Sequence, residues 1–317
     1  MKHGGIRILR RIMFLTFLSI MSACSVMRPS MPPLASIEGK PGHFFAGRII
    51  NTNDGKAISF DLLIDLLTTN DLIFIGEVHN NADHHLIETQ ILQALMMRNK
   101  RLTVAMEFFD ESDQPALDRY MQGAVTEEKF LKDVNWDKKW AFDYHFYRPL
   151  MLLAKEKAQN LLAVNAPGNI VKKVAGSGLK SLNAQERNQL AKKIDLNNKD
   201  HRAYLNEIYR KHQHDILKNF EYFYEAQCAW EDTMAENLAA DIKKYNEQIV
   251  VFAGNGHIVN KFGIPERTQK RAPVRMATVM LYPLTERTTI KKGIADYVWL
   301  TGNYLPKHLM HRHKYKQ

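Results

Sequence analysis

The chain has 317 residues, a formal net charge of +10, 45% hydrophobic residues and two cysteines, enough apolar material for one large α/β domain or two smaller ones. Loss of an N-terminal segment carrying Lys2, Arg7, Arg10 and Arg11 and no acid lowers the charge to +6, which gives little reason to expect a nucleic-acid partner.

The first element is a leader. Its four cations precede the apolar run from Ile12 to Met21, then Ser22, Ala23 and Cys24. About ten apolar residues are too few to span a bilayer, so residues 1–23 read as a signal peptide that is removed. A cysteine directly after two small residues is the acceptor of a lipoprotein anchor, and Cys24 is the expected lipidation site. Ser25, where an aspartate would retain the protein at the inner membrane, directs it to the outer membrane facing the periplasm. Lipidation leaves Cys228 as the one remaining thiol, so no intramolecular disulfide is expected, and that residue reads as a small buried hydrophobe. Residues 24–42, with Pro29, Pro32 and Pro33, read as a tether.

The domain is expected over 43–305. Asn53-Asp54-Gly55 between Phe44–Ile50 and Ala57–Phe60 predicts an edge hairpin, because Asp-Gly tolerates positive φ. A helix follows at about 59–67, then a buried strand at Asp71–Ile75. Ile87, Ile91, Leu92, Leu95 and Met96 recur at helical spacing within 83–97. Leu102–Met106, Leu161–Val164 and Ile249–Ala253 are short continuous apolar runs that read as strands buried on both faces, with a helix at Met151–Gln159 between the first two. Strands alternating with helices predict a largely parallel central sheet flanked by helices. A helical insert is expected over about 181–246, and Val274–Leu281 and Tyr297–Leu300 read as closing or antiparallel edge strands. Residues 306–317 form a basic tail.

Ligands of open α/β sheets bind where strands end. Here Glu77 and His79 follow one predicted strand, Glu107 a second, Asn165 a third, and Gly254-Asn255-Gly256-His257 a fourth. Glu77, His79, Glu107 and His257 are therefore the candidate cluster, as ligands to a divalent metal or as a hydrolytic centre in which a carboxylate orients a histidine base. Serine-hydrolase, P-loop and dinucleotide signatures are absent from the sequence. The segment His201–Asp215, continuing through Phe220–Gln227, is dense in Tyr, His and Phe. Such residues can ligate haem iron and cover a porphyrin face, although an aromatic stripe on a helix is more often core.

Taken together, these segments resemble the ChaN-like haem-binding lipoproteins of the Tiki superfamily. The resemblance rests on Phe74-Ile-Gly-Glu-Val-His-Asn80 with His84, His85 and Gln90, on Ala105-Met-Glu-Phe-Phe109, Asp113-Gln-Pro-Ala-Leu117, Trp140 and Tyr147-Arg-Pro-Leu150. It continues through Asn165-Ala-Pro167, Glu225-Ala-Gln227, Met234-Ala-Glu236, Gly254-Asn-Gly-His257, Gly263-Ile-Pro265 and Arg267. It implies a mixed α/β fold with a helical subdomain, haem as cofactor, and a role in haem or iron uptake. It also implies haem held between the subunits of a homodimer with a tyrosine ligand, for which Tyr147, Tyr204, Tyr209, Tyr222 and Tyr224 are candidates, with His212 as a further haem contact. An outer-membrane haem receptor is the partner such a role suggests. The same glycine–histidine segments resemble superfamily esterases and metal-dependent proteases, so a hydrolase is the alternative.

Overall fold

The computed structural model describes residues 32–99, 101–211, 219–245 and 247–302. The expected signal peptide, Cys24, His212 and the basic tail lie outside the described residues.

The hairpin forms as expected. Strand β2 (Ile49–Asn51) pairs antiparallel with β3 (Lys56–Ile58), and Gly55 takes φ +73° in the turn, where a side chain would be strained. A short strand within the expected tether, β1 (Ala35–Ile37), pairs in parallel with β9 (Thr288–Ile290) and buries Ala35 and Ile37. The ordered domain therefore begins before residue 43.

The main sheet contains β4 (Leu72–Glu77), β5 (Leu102–Asp110), β6 (Leu161–Asn165), β7 (Gln248–Gly254), β8 (Met276–Leu284) and β10 (Tyr297–Gly302). Its order is β3-β2-β10-β8-β4-β7-β5-β6. The six strands from β10 to β6 are mutually parallel. The expectation of closing or antiparallel edge strands is corrected in position: β8 and β10 are both interior, β8 is parallel to both neighbours, and β10 is parallel to β8 and antiparallel to β2 of the hairpin. Their side chains alternate or run apolar in the same way for either direction, so periodicity carries no information on strand polarity.

The pleat divides each central strand between two cores. Ile73 and Ile75 of β4, with Val104 and Met106 of β5, pack against helices α1 (Phe60–Thr68), α2 (Ala82–Arg98) and α6 (Tyr144–Lys157) through Leu63, Leu67, Ile91, Leu95, Leu150 and Ala154. Between β5 and α6 the chain adds α3 (Gln114–Met121), α4 (Glu127–Asp133) and α5 (Trp136–Lys139). Leu72 and Phe74 face the other way, onto Met234, Ala235 and Leu238 of a long helix. Full burial of each such side chain stabilises the fold by about 1.5–3 kcal/mol.

Among its described residues the predicted insert contains helices and no strand, with an irregular stretch over 188–198. It follows α7 (Gly168–Ser177) and comprises α8 (Ala184–Arg187), α9 (Lys199–Lys211) and α10 (Phe220–Lys244). The N-terminal half of α10 packs on α7 and α9 through Tyr224, Ala226, Cys228 and Ala229, while its C-terminal half lies on the sheet. Two short helices, α11 (Asn255–Ile258) and α12 (Ile264–Arg271), close that face.

Candidate functional site

The strand order decides which residues meet. β4, β7 and β5 are neighbours, so Glu77, Gly254 and Glu107 emerge side by side at the carboxyl edge of the sheet. Pairing of β5 with β6 is irregular between Met106 and Asp110, and such a bulge re-aims a side chain. Glu107 sits in it and turns toward β7, where its Oε2 accepts the Gly254 N–H at 2.7 Å.

Glu77 is fully buried and its Oε1 lies 2.8 Å from His79 Nδ1. Burial, reinforced by the charge of Glu88, raises Glu77 to about 7. The His79 ring lies edge-on to Trp140 at 4.9 Å and 5.0 Å from Phe142, with 27% of its side chain exposed. Burial opposes charging this ring, but the bond to Glu77 and the field of Glu107 outweigh it and raise its pKa.

Behind His79 stands the first turn of α2, capped by Asn81, whose Oδ1 accepts the Asp83 N–H. His84 Nδ1 accepts the Val78 N–H at 2.9 Å, so its Nε2 carries the proton and donates to Thr301 Oγ1 at 2.9 Å. Burial pushes His84 down to about 3 and keeps it neutral, a structural clamp on the loop after β4. His85 Nε2 lies 3.0 Å from the His79 carbonyl and 3.0 Å from Glu77 Oε2, and its Nδ1 lies 3.0 Å from Glu88 Oε2.

His257, on α11, completes a second pair. Its Nε2 lies 3.3 Å from Glu107 Oε1 and its Nδ1 3.4 Å from Glu231 Oε1 on α10. Burial disfavours the imidazolium, yet the two carboxylates outweigh it and lift His257 to about 10. Glu107, although burial opposes its charge, is drawn down to about 2 by His257, His79 and the Gly254 N–H. The pair is an imidazolium–carboxylate pair at neutral pH. Glu231 continues the network to Arg267 Nε at 3.4 Å, and Arg267 also binds Asp232, which Arg271 holds at 2.8 Å.

The two pairs meet at Gly254. A Cβ there would lie 2.9 Å from His79 Nε2 and 3.7 Å from Glu107 Oε2, so glycine is what lets the imidazole approach the strand. The four predicted residues are therefore brought together, but as two bonded pairs: Glu77 holds His79, and Glu107 holds His257. They do not point to one shared centre as a four-ligand metal cage requires. Sequence reasoning did not identify Glu231, Asp232, Arg267, His85 and Glu88 as site residues. Helical spacing held the signal for one of them, because Glu231 shares a face of α10 with Cys228, Ala235 and Leu238.

A cleft of about 660 Å³ opens in front of His79 and Glu107. Phe108, Trp140, Phe142 and Trp230 supply aromatic walls, and Lys138, Lys139 and Lys172 line it as cations. Asn165 stiffens its floor, donating to the Glu107 carbonyl at 2.6 Å and accepting from the Trp230 indole. None of the five candidate tyrosines lines this cleft. Tyr147, Tyr209 and Tyr224 are buried, Tyr147 donating to the His79 carbonyl at 3.2 Å and Tyr224 to the Leu196 carbonyl at 3.1 Å. Tyr204 and Tyr222 are partly exposed.

A family model described as haem-binding uptake, Tiki superfamily, ChaN matches residues 63–268. Among solved structures, the fold is similar to ChaN of Campylobacter jejuni, described as binding haem cofacially, with a TM-score of 0.63 and 21% identity over 79% of this chain and 95% of that one. An erythromycin esterase in its open conformation aligns with a TM-score of 0.47 and 10% identity over 75% of this chain and 77% of that one. A Bacillus cereus protein aligns with a TM-score of 0.44 and 12% identity over 75% and 72%. No curated protein sequence matches the chain.

Proposed function

We infer that this protein binds haem, because the chain belongs to the ChaN family of haem-binding uptake proteins in the Tiki superfamily. The observation within the molecule that supports a place for the ligand is the cleft before His79. A porphyrin would be held by flat apolar walls, cations for its propionates and a donor atom for its iron. Trp140, Phe142 and Trp230, the three lysines and His79 offer these in turn. An imidazole that ligates metal commonly gives its other ring N–H to a carboxylate, and the bond from His79 Nδ1 to Glu77 leaves Nε2 for that role. The residues present therefore fit the group. Haem would supply the iron, and the chain's own part is to hold and orient it and to exclude water.

A tyrosine ligand is the second arrangement we weigh, since the family resemblance implies it. It falls to Tyr204 or Tyr222, the candidates with exposed surface. The cofacial haems described for the Campylobacter relative support a dimer of this chain closing over two haems. We further propose that Cys24 carries the lipid, that the domain stands on the outer membrane, and that it serves iron uptake beside a haem receptor. Among the described residues no helix is long and apolar enough to cross a membrane.

Absorption spectroscopy of His79→Ala, Tyr204→Phe and Tyr222→Phe variants with haem tests the assignment. Loss of the bound spectrum in His79→Ala alone supports the cleft; loss only in a tyrosine variant moves the site to the helical layer. The Glu77–His79 dyad also favours a hydrolase in which His79 is the base, and an ester-hydrolysis screen that His79→Ala silences would establish that activity.

A further inference from the structure

Glu77, His85 and Glu88 offer one imidazole nitrogen and two carboxylate oxygens that all lie within 4.8 Å of one another, and all three residues are buried. We propose that this trio is a divalent-cation site of the zinc class, set behind the cleft and separate from the Glu107–His257 pair.

Its geometry follows from the fold. His85 and Glu88 are three residues apart on α2 and so project from one face of that helix, as paired metal ligands on bundle helices do. Glu77 reaches them from the end of β4, and the His79 carbonyl lies 3.0 Å from His85 Nε2 as a further oxygen. The His85 ring is fixed by a parallel stack on Phe146 at 5.6 Å and by Tyr147 at 4.4 Å. Zinc takes nitrogen and oxygen donors at about 2.0–2.2 Å, so its tetrahedral donors stand about 3.4 Å apart. The donor atoms here lie within 4.8 Å of one another, and because Glu77 faces His85 Nε2 while Glu88 faces Nδ1, one of the two glutamates would turn to the other side of the ring to share the ion.

An independent observation points to a ligand. Glu88 is fully buried, and among the described residues its Oε1 has no hydrogen-bond partner. Neither Glu77 nor Glu88 is paired with a lysine or arginine among the described residues; their ion-pair partners are His79 and His85. Two buried carboxylates facing one shared imidazole are an electrostatic deficit that a divalent cation neutralises. Because Glu77 Oε1 holds His79 Nδ1, the cation would sit one residue behind the group that faces the cleft and orient it.

The test is metal binding by the full-length chain, stripped with chelator and titrated with Zn²⁺, then with Co²⁺ as a spectroscopic probe. One Zn²⁺ per chain is expected, with a raised Tm. Glu88→Gln, which keeps the side chain's shape, is expected to weaken binding at least tenfold while Glu207→Gln, exposed on α9, retains it. X-ray absorption of the zinc-loaded wild type gives a reading that needs no variant to fold: one imidazole with oxygen ligands is expected. Two imidazoles would place the ion on His79 and His257 and overturn the proposal. So would absence of binding at a tenfold excess of Zn²⁺, the result expected if Glu88 is simply held as a neutral acid. Equal affinity in Glu88→Gln and the wild type would overturn it too.

Discussion

At the residue scale, the Glu107–His257 pair sets the sharpest expectation. Glu107 is depressed from 4.5 to about 2, so its contribution is present above pH 4.5 and lost as pH falls toward 2. His257 is raised from 6.5 to about 10, so its contribution is complete below pH 6.5 and lost as pH rises through 10. The pair therefore stabilises most between pH 4.5 and 6.5. Glu77, raised to about 7, works against stability as pH climbs from 4.5 to 7. Glu107→Gln should cost about 3 kcal/mol near pH 6 and flatten the acid limb of a urea-unfolding series; an unchanged acid limb would contradict the pairing. Gly254→Ala places a methyl 2.9 Å from the His79 ring and should weaken haem binding more than tenfold, read by titration of the Soret band, with the fold retained. Glu77, His79, Glu107 and His257 were legible because each lies at or just beyond the end of an apolar strand run. Arg267 and Asp232 were not, since a charged residue on a helix looks solvated until the neighbouring layer is known.

At the scale of elements, α10 joins the sheet to the helical layer. Its fully buried Glu231 and Asp232 are balanced chiefly by His257, Arg267 and Arg271, the last two from α12. Arg267→Ala leaves two buried carboxylates short of charge and should cost about 3–5 kcal/mol by urea denaturation, loosening α12 from α10. A loss under 1 kcal/mol would show that water reaches these acids. The strands β4 to β7 were readable from continuous apolar runs, and α2 from its three- and four-residue spacing. The places of β8 and β10 were not, because position within a sheet is a long-range property. Strands as short as β1 and β9, three residues each, leave no periodicity to read.

At the scale of the whole molecule, the proposed lipid anchor at Cys24 and haem binding are separately testable. Cys24→Ala should release the protein from membranes into the soluble fraction without changing haem affinity; detergent phase partition checks the first and titration the second. Membrane retention of that variant would refute lipidation at Cys24. The fold and its resemblance were legible from motifs scattered over the chain because their order follows the strand ends. The cleft proposed for haem was harder to read, since it draws on α5, the loop after it, β5 and α7, which only the folded chain brings together.

The central claim is haem binding, and the most direct measurement is a haem titration of the protein followed by absorption and by sedimentation velocity. A saturable complex of one haem per chain is expected, with a shifted Soret band and a monomer-to-dimer change at saturation. A linear, unsaturated absorbance rise with no change in sedimentation would contradict it.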